Sequence, residues 1–182
     1  MNIAWLLLYT LITNGLKIVI FFKVDGIGLN FERIFKAFLF KLLLAVVFVM
    51  ISYIVGNDYL SYFMEPLYGI GLSFLLLRGL PKKLLFFYGL FPMILVNLFY
   101  RGVSYFVLPF WGQEIVDKGS NPIFLLMTIF VCFIVLVFLK WLDYDFTSLR
   151  KEILDKGFQQ SLTTINWIMG AYFLVMENLS YF

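Results

Sequence analysis

Two residues out of place in apolar sequence are the first candidates for chemistry. Between residues 62 and 105 the chain reads as two apolar runs joined by a short basic turn. Glu65 stands near the start of the first run and Arg101 well inside the second. A charged side chain in hydrocarbon costs roughly 2.5–3.5 kcal/mol on insertion scales, so it persists only where something satisfies it. Glu177, in the last apolar run, is a third such group. Tyr62, Tyr68, Asn97, Tyr100 and Tyr105 add polar tips along the same runs. Two compatible expectations follow. Arg101 pairs with Glu65 or Glu177 and fixes helix packing, or the charges line a polar vestibule that receives a ligand. The vestibule would be built from Glu65, Tyr68, Asn97, Arg101, Tyr105, Trp111 and Glu177. Lys17 stands about six residues from the inner end of its helix and is expected to snorkel to the interface.

The elements that must position these groups are membrane helices. Of the 182 residues 63% are hydrophobic and 14% charged, with mean hydropathy +0.95, far outside the range of a water-soluble domain. The fold class expected is all-α, a polytopic transmembrane bundle forming one domain over residues 1–182. Taking about 20 apolar residues per crossing, six helices are predicted near 3–22, 37–55, 62–78, 84–110, 122–142 and 162–182. A short amphipathic helix is predicted near 146–156 on the inner face, with Gly157 as its stop. Asn30 reads as a helix N-cap, and Pro92 should kink the fourth span. Gly69 and Ser73 present the small-xxx-small spacing of close helix approach.

Orientation follows from Lys and Arg placement. Lys23, Arg33, Lys36 and Lys41 flank the first connection, Arg78, Lys82 and Lys83 the third, and Lys140, Arg150, Lys151 and Lys156 the fifth. The second connection has no Lys or Arg, and the fourth has only Lys118 beside Glu114 and Asp117. The first, third and fifth connections are therefore expected inside and the N-terminus outside. That order puts Glu65, Arg101 and Glu177 at one level in the outer leaflet. It also returns residue 182 to the outside without a polar tail, which predicts a fragment or truncated product.

Several function classes are excluded. There is no histidine, so His-based metal sites, general bases and phosphoacceptors are absent. No P-loop or catalytic triad is present, and Gly26-Ile-Gly28 follows a membrane helix without the βαβ setting of a dinucleotide loop. No metal, cofactor or nucleic-acid partner is expected, and this chain is not expected to be an enzyme. Cys132, the one cysteine, reads as a small core residue.

The segments Glu65-Pro66-Leu67-Tyr68-x-Ile70-x-Leu72-Ser73, Phe87-Tyr88-Gly89-Leu90-x-Pro92 and Leu98-Phe99-x-Arg101 resemble the membrane sensor region of ComD-type streptococcal peptide-pheromone receptor histidine kinases. The resemblance covers roughly residues 62–110. It implies a multi-pass sensor in the cytoplasmic membrane of a Gram-positive bacterium, surrounded by membrane lipid and working as a homodimer. Such a sensor detects an extracellular peptide in quorum sensing. It passes the signal to a cytoplasmic kinase, and through that kinase to a response regulator. The kinase region is absent here, and a seventh helix is expected before it. The rival expectation is a small six-helix transporter or substrate-binding membrane subunit, in which Glu65 and Arg101 would meet solute or ion. A scaffold whose charges serve only packing is a third.

Overall fold

The computed structural model describes residues 3–55, 63–111, 122–153 and 155–179, with side chains over 8–55, 63–106, 125–153 and 155–175. Among these residues every regular element is helical. In chain order they are α1 (Ile3–Asp25), α2 (Phe31–Val55), α3 (Met64–Leu76), α4 (Lys82–Trp111), α5 (Pro122–Leu142), a 3-10 turn (Phe146–Ser148), α6 (Leu149–Glu152) and α7 (Lys156–Leu179). Three segments, Phe31–Val55, Lys82–Phe106 and Leu125–Leu142, are long and apolar enough to cross a membrane. The chain is a membrane protein. Much of α2 leaves its apolar side chains exposed, Val49 at 69% and Ile54 at 78%, as a lipid-facing helix does and a water-facing one does not.

α4 is the axis of the bundle and packs against α1, α3, α5 and α7. Its buried Leu84 and Tyr88 meet Ile18, Phe21 and Phe22 of α1, Leu72 of α3, Val131 and Val135 of α5, and Leu162 of α7 in one core. Cys132 lies in the same core, fully buried, as its apolar surroundings in the sequence imply. The α3–α4 crossing depends on glycine. A Cβ on Gly69 would collide with the Gly89 carbonyl oxygen, and one on Gly89 would fall 2.5 Å from the Ile70 Cα. The small residue expected to allow close approach does so, and its partner is Gly89. The hairpin closes where Ser73 accepts from Leu77 N–H (2.9 Å) and Gly79 adopts φ +95°, a conformation only glycine takes without strain. The Pro81 carbonyl then accepts from Leu84 N–H (3.0 Å) to open α4. Helical backbone continues through Pro92.

Boundaries correct the expected spans in three places. Asn30 does cap α2, its Oδ1 accepting from Glu32 N–H (3.2 Å) and its carbonyl from Ile34 N–H (3.0 Å). The helix therefore begins at Phe31, not near 37. α3 covers only Met64–Leu76, shorter than the expected 62–78. The amphipathic helix expected over 146–156 is a 3-10 turn followed by the single turn α6. Gly157 does not stop it. Asp155 accepts from Gly157 N–H (3.0 Å) and from Gln159 N–H through its carbonyl (3.0 Å), which starts α7 at Lys156.

The connector after α5 is fastened to one end of the bundle by buried polar contacts. Tyr88, fully buried, donates its hydroxyl to the Phe146 carbonyl (2.6 Å). Arg150 lies 5.5 Å from the Tyr88 ring centroid and donates to the Asp25 carbonyl at the end of α1. Gly26, at φ +62°, leaves room for the Thr147 methyl group against the same corner. Asp145 caps the 3-10 turn. Hydrogen bonds from the Thr147 hydroxyl (2.7 Å) and backbone N–H (3.0 Å) hold its carboxyl below the usual aspartate range.

Candidate functional site

Glu65 sits in the first turn of α3, where the helix dipole favours a negative charge. Its Oε1 accepts from Lys41 Nζ of α2 (2.9 Å) and from Lys17 Nζ of α1 (3.3 Å). Lys41 Nζ also donates to Asn14 Oδ1 (2.6 Å) and lies 4.9 Å from the Tyr68 ring centroid. Tyr68, one turn beyond Glu65, is itself fixed. Its hydroxyl donates to the Ala37 carbonyl (3.2 Å), and its ring stacks on Phe40 at 5.9 Å. Helical spacing produces the cluster: Asn14 and Lys17 three apart on α1, Ala37 and Lys41 four apart on α2, Glu65 and Tyr68 three apart on α3.

This network corrects two expectations. Lys17 does not snorkel away from the bundle, because its ammonium turns inward to Glu65. Lys41, counted as a loop-flanking charge, lies ten residues into α2, about 15 Å from the helix start at 1.5 Å per residue, and its side chain is only 10% exposed. The Asn30 cap carried that information. Once the helix is counted from Phe31, Lys41 falls deep in the span and joins the other charges within the apolar helices.

The ion partners of Glu65 are thus lysines, and its depth differs from that of Arg101. Glu65 is about 16 Å from the Leu76 end of α3, whereas Arg101 is about 28 Å from the adjoining Lys82 end of α4. The common level expected for the two does not form, because α3 is too short to carry Glu65 that far. Arg101 Nε donates instead to Asn97 Oδ1 (2.9 Å), which also accepts from the Tyr172 hydroxyl of α7 (2.9 Å). Asn97 therefore ties α4 to α7 and holds the arginine one turn further along. Tyr105 is 76% exposed. The side chains of Trp111 and Glu177 lie outside the described residues.

The charged cluster borders a cavity of about 750 Å³, a size that suits a small ligand or part of a larger one. Lys17, Lys41 and Glu65 line it, with Phe38 of α2 and Met93 of α4 beside them. Tyr9 and Thr13 of α1, Asn97 and Tyr100 of α4, Thr128 of α5 and Phe173 of α7 contribute to its walls. Between α1 and α2 it is flanked by apolar side chains that remain exposed, Leu11, Phe35, Leu39 and Leu42. Two cations against one anion give the lining a net positive charge. Of the vestibule residues read from the sequence, Glu65 and Asn97 line this cavity; Tyr68 supports it from behind. Lys17, Lys41 and Asn14 complete it.

Fold and site together define a membrane protein, all-helical among the described residues, with a charged cluster in the lining of a largely apolar cavity. No protein-family model, characterised protein or solved structure matches the chain.

Proposed function

We propose that the chain is the membrane-embedded sensor region of a two-component receptor, one that takes an extracellular signalling peptide and relays its arrival to a cytoplasmic histidine kinase. α1–α5 and α7 would make six crossings from an outside N-terminus, following the Lys and Arg asymmetry of the connections. In that orientation the charged cluster lining the cavity would lie near mid-depth. That cavity carries the reading. It joins an apolar volume to fixed charges, as a site for an amphipathic ligand requires. Phosphorylation chemistry would reside elsewhere, since this chain has no histidine. The sensor would act as a homodimer in the cytoplasmic membrane of a Gram-positive cell.

A small transporter is the second reading, favoured by one observation: charges on three helices meet deep within the span, as they do around a carried ion or solute. The test uses the intact gene in its host with a reporter for the regulated promoter. Ala45→Phe, which fills the cavity, should shift the response to culture supernatant at least about tenfold in dose. An unchanged dose response refutes the receptor reading. Solute uptake into vesicles that Ala45→Phe abolishes supports transport instead.

A further inference from the structure

The hydrogen-bonding groups that the cavity lining leaves free decide what can sit against it. Among its amide and ionised side chains the oxygens are taken. Asn14 Oδ1 accepts from Lys41, Asn97 Oδ1 from Arg101 and Tyr172, and Glu65 Oε1 from both lysines. Glu65 Oε2 is closed off by burial and offers the cavity nothing. The nitrogens are free. Lys17 Nζ uses one of an ammonium's three donors, in a long bond of 3.3 Å. The Nδ2 atoms of Asn14 and Asn97 make no hydrogen bond among the described residues, and neither is buried away. Asn14 and Lys17 stand three apart on α1, so their free donors share one face of that helix. With one net positive charge in the cluster, the lining calls for an anion that only accepts. The apolar walls, with Leu11, Leu39 and Leu42 exposed between α1 and α2, call for hydrocarbon in the rest of the occupant.

We propose that the cavity binds a single apolar chain by a carboxylate at its end. The carboxylate oxygens lie on Lys17 Nζ and Asn14 Nδ2, and the chain runs along the walls past Leu39, Met93 and Val96. Lys41 and Glu65 are positioning residues. Lys41 holds the Asn14 oxygen and so leaves the amide nitrogen free, and Glu65 fixes both ammoniums. A monoanion balances the single excess charge, a phosphate monoester brings about two negative charges at neutral pH, and an amine repels Lys17. Lys17 is eight residues before the Asp25 end of α1, about 12 Å along the helix, deeper than a phospholipid carries its phosphate. At about 30 Å³ per heavy atom, the share of liquid volume that a water takes, 750 Å³ holds one chain of about a dozen carbons with its head, but not two long chains and a headgroup. A long-chain fatty acid and the C-terminus of an apolar peptide share this chemistry. The proposal deepens the receptor reading by naming the polar end of the ligand, and rests on it only for the peptide source.

The experiment is equilibrium binding to the full chain in nanodiscs of neutral lipid, with binding to empty nanodiscs subtracted. Radiolabelled dodecanoate is compared with methyl dodecanoate, which keeps the oxygens and loses the charge, and with dodecylammonium, which reverses it. Dodecanoate should bind at least about tenfold tighter than the ester, the scale of one charge-assisted hydrogen bond, and dodecylammonium should show no saturable binding. N-acetyl-pentaleucine and its methyl ester form the peptide arm, and whichever acid binds tighter identifies the source. Lys17→Gln should erase the preference for acid while leaving the ester affinity unchanged, so each protein reports its own integrity. Asn14→Asp keeps an acceptor for Lys41 but replaces the free donor by a negative charge, and should lose acid binding. Lys17→Arg should retain the preference and serves where Lys17→Gln does not fold. Equal binding of acid and ester in both arms, no saturable binding of either acid, or dodecylammonium bound as tightly as dodecanoate overturns the proposal. A reporter response to supernatant that survives that result leaves the receptor reading standing; acid binding in a protein whose intact gene gives no response removes the receptor and keeps the site.

Discussion

Replacing Glu65 by Gln removes the one negative charge facing Lys17 and Lys41, and the consequence can be worked from the geometry. The carboxylate oxygen lies 2.9 Å from one ammonium and 3.3 Å from the other. Unit charges about 4 Å apart attract by about 4 kcal/mol at an effective dielectric of 20. Deleting one member of a fully buried pair typically costs roughly 3–5 kcal/mol, because the other charge is left without compensation. Here the Glu65 and Lys17 side chains keep 35% and 26% exposure toward the cavity, so water screens part of the loss. About 2–3 kcal/mol is expected. Lys41→Met leaves Glu65 with Lys17 and should cost about 1 kcal/mol. The double variant, with a single cation remaining, should lose clearly less than the sum, giving a coupling of about 1.5 kcal/mol or more. The assay is reversible unfolding in mixed micelles titrated with sodium dodecyl sulfate, followed by helical circular dichroism. Additivity within about 0.5 kcal/mol would refute the ion network as an energetic unit.

Three further outcomes follow from the packing. Gly89→Ala places a methyl group against the Ile70 backbone and should destabilise by about 1–3 kcal/mol, whereas Gly102→Ala, with nothing within 4 Å of the new carbon, should be neutral or stabilising by up to about 1 kcal/mol. Equal effects in the same micelle titration would contradict the glycine crossing. Tyr88→Phe leaves the Phe146 carbonyl without its donor and should cost about 1–3 kcal/mol, visible as faster amide hydrogen exchange across residues 146–150; unchanged exchange counts against the tether. The Asp145 carboxyl is held below the usual range by Thr147, so this contribution to the turn is present above the ordinary aspartate value of about 4 and is lost as pH falls through the depressed value. Thr147→Val should raise that titration midpoint in a ¹³C carboxyl measurement, and an unmoved midpoint would refute the assigned cause.

How much was legible in the sequence can be judged residue by residue. Hydrophobic run length identified membrane helices, because crossing about 30 Å of hydrocarbon demands about 20 apolar residues whatever they pack against. Local chemistry also fixed the Asn30 cap and the room made by Gly69, since a cap bonds within one turn and a glycine lacks a side chain wherever it lies. Glu65 could be singled out from composition alone, as an acid with no business in an apolar run. Its partners could not. Lys17 and Lys41 are 48 and 24 residues away, and their approach depends on the length of α3, the close α3–α4 crossing and the rotation of α1 and α2 about their axes. Only tertiary structure decided that Glu65 faces two lysines, that Arg101 stands about 12 Å further along the bundle on Asn97, and that the cluster borders a cavity. The physical reason is one of range: burial and capping are set by the few residues around a position, whereas ion pairing at depth is set by how whole helices stack.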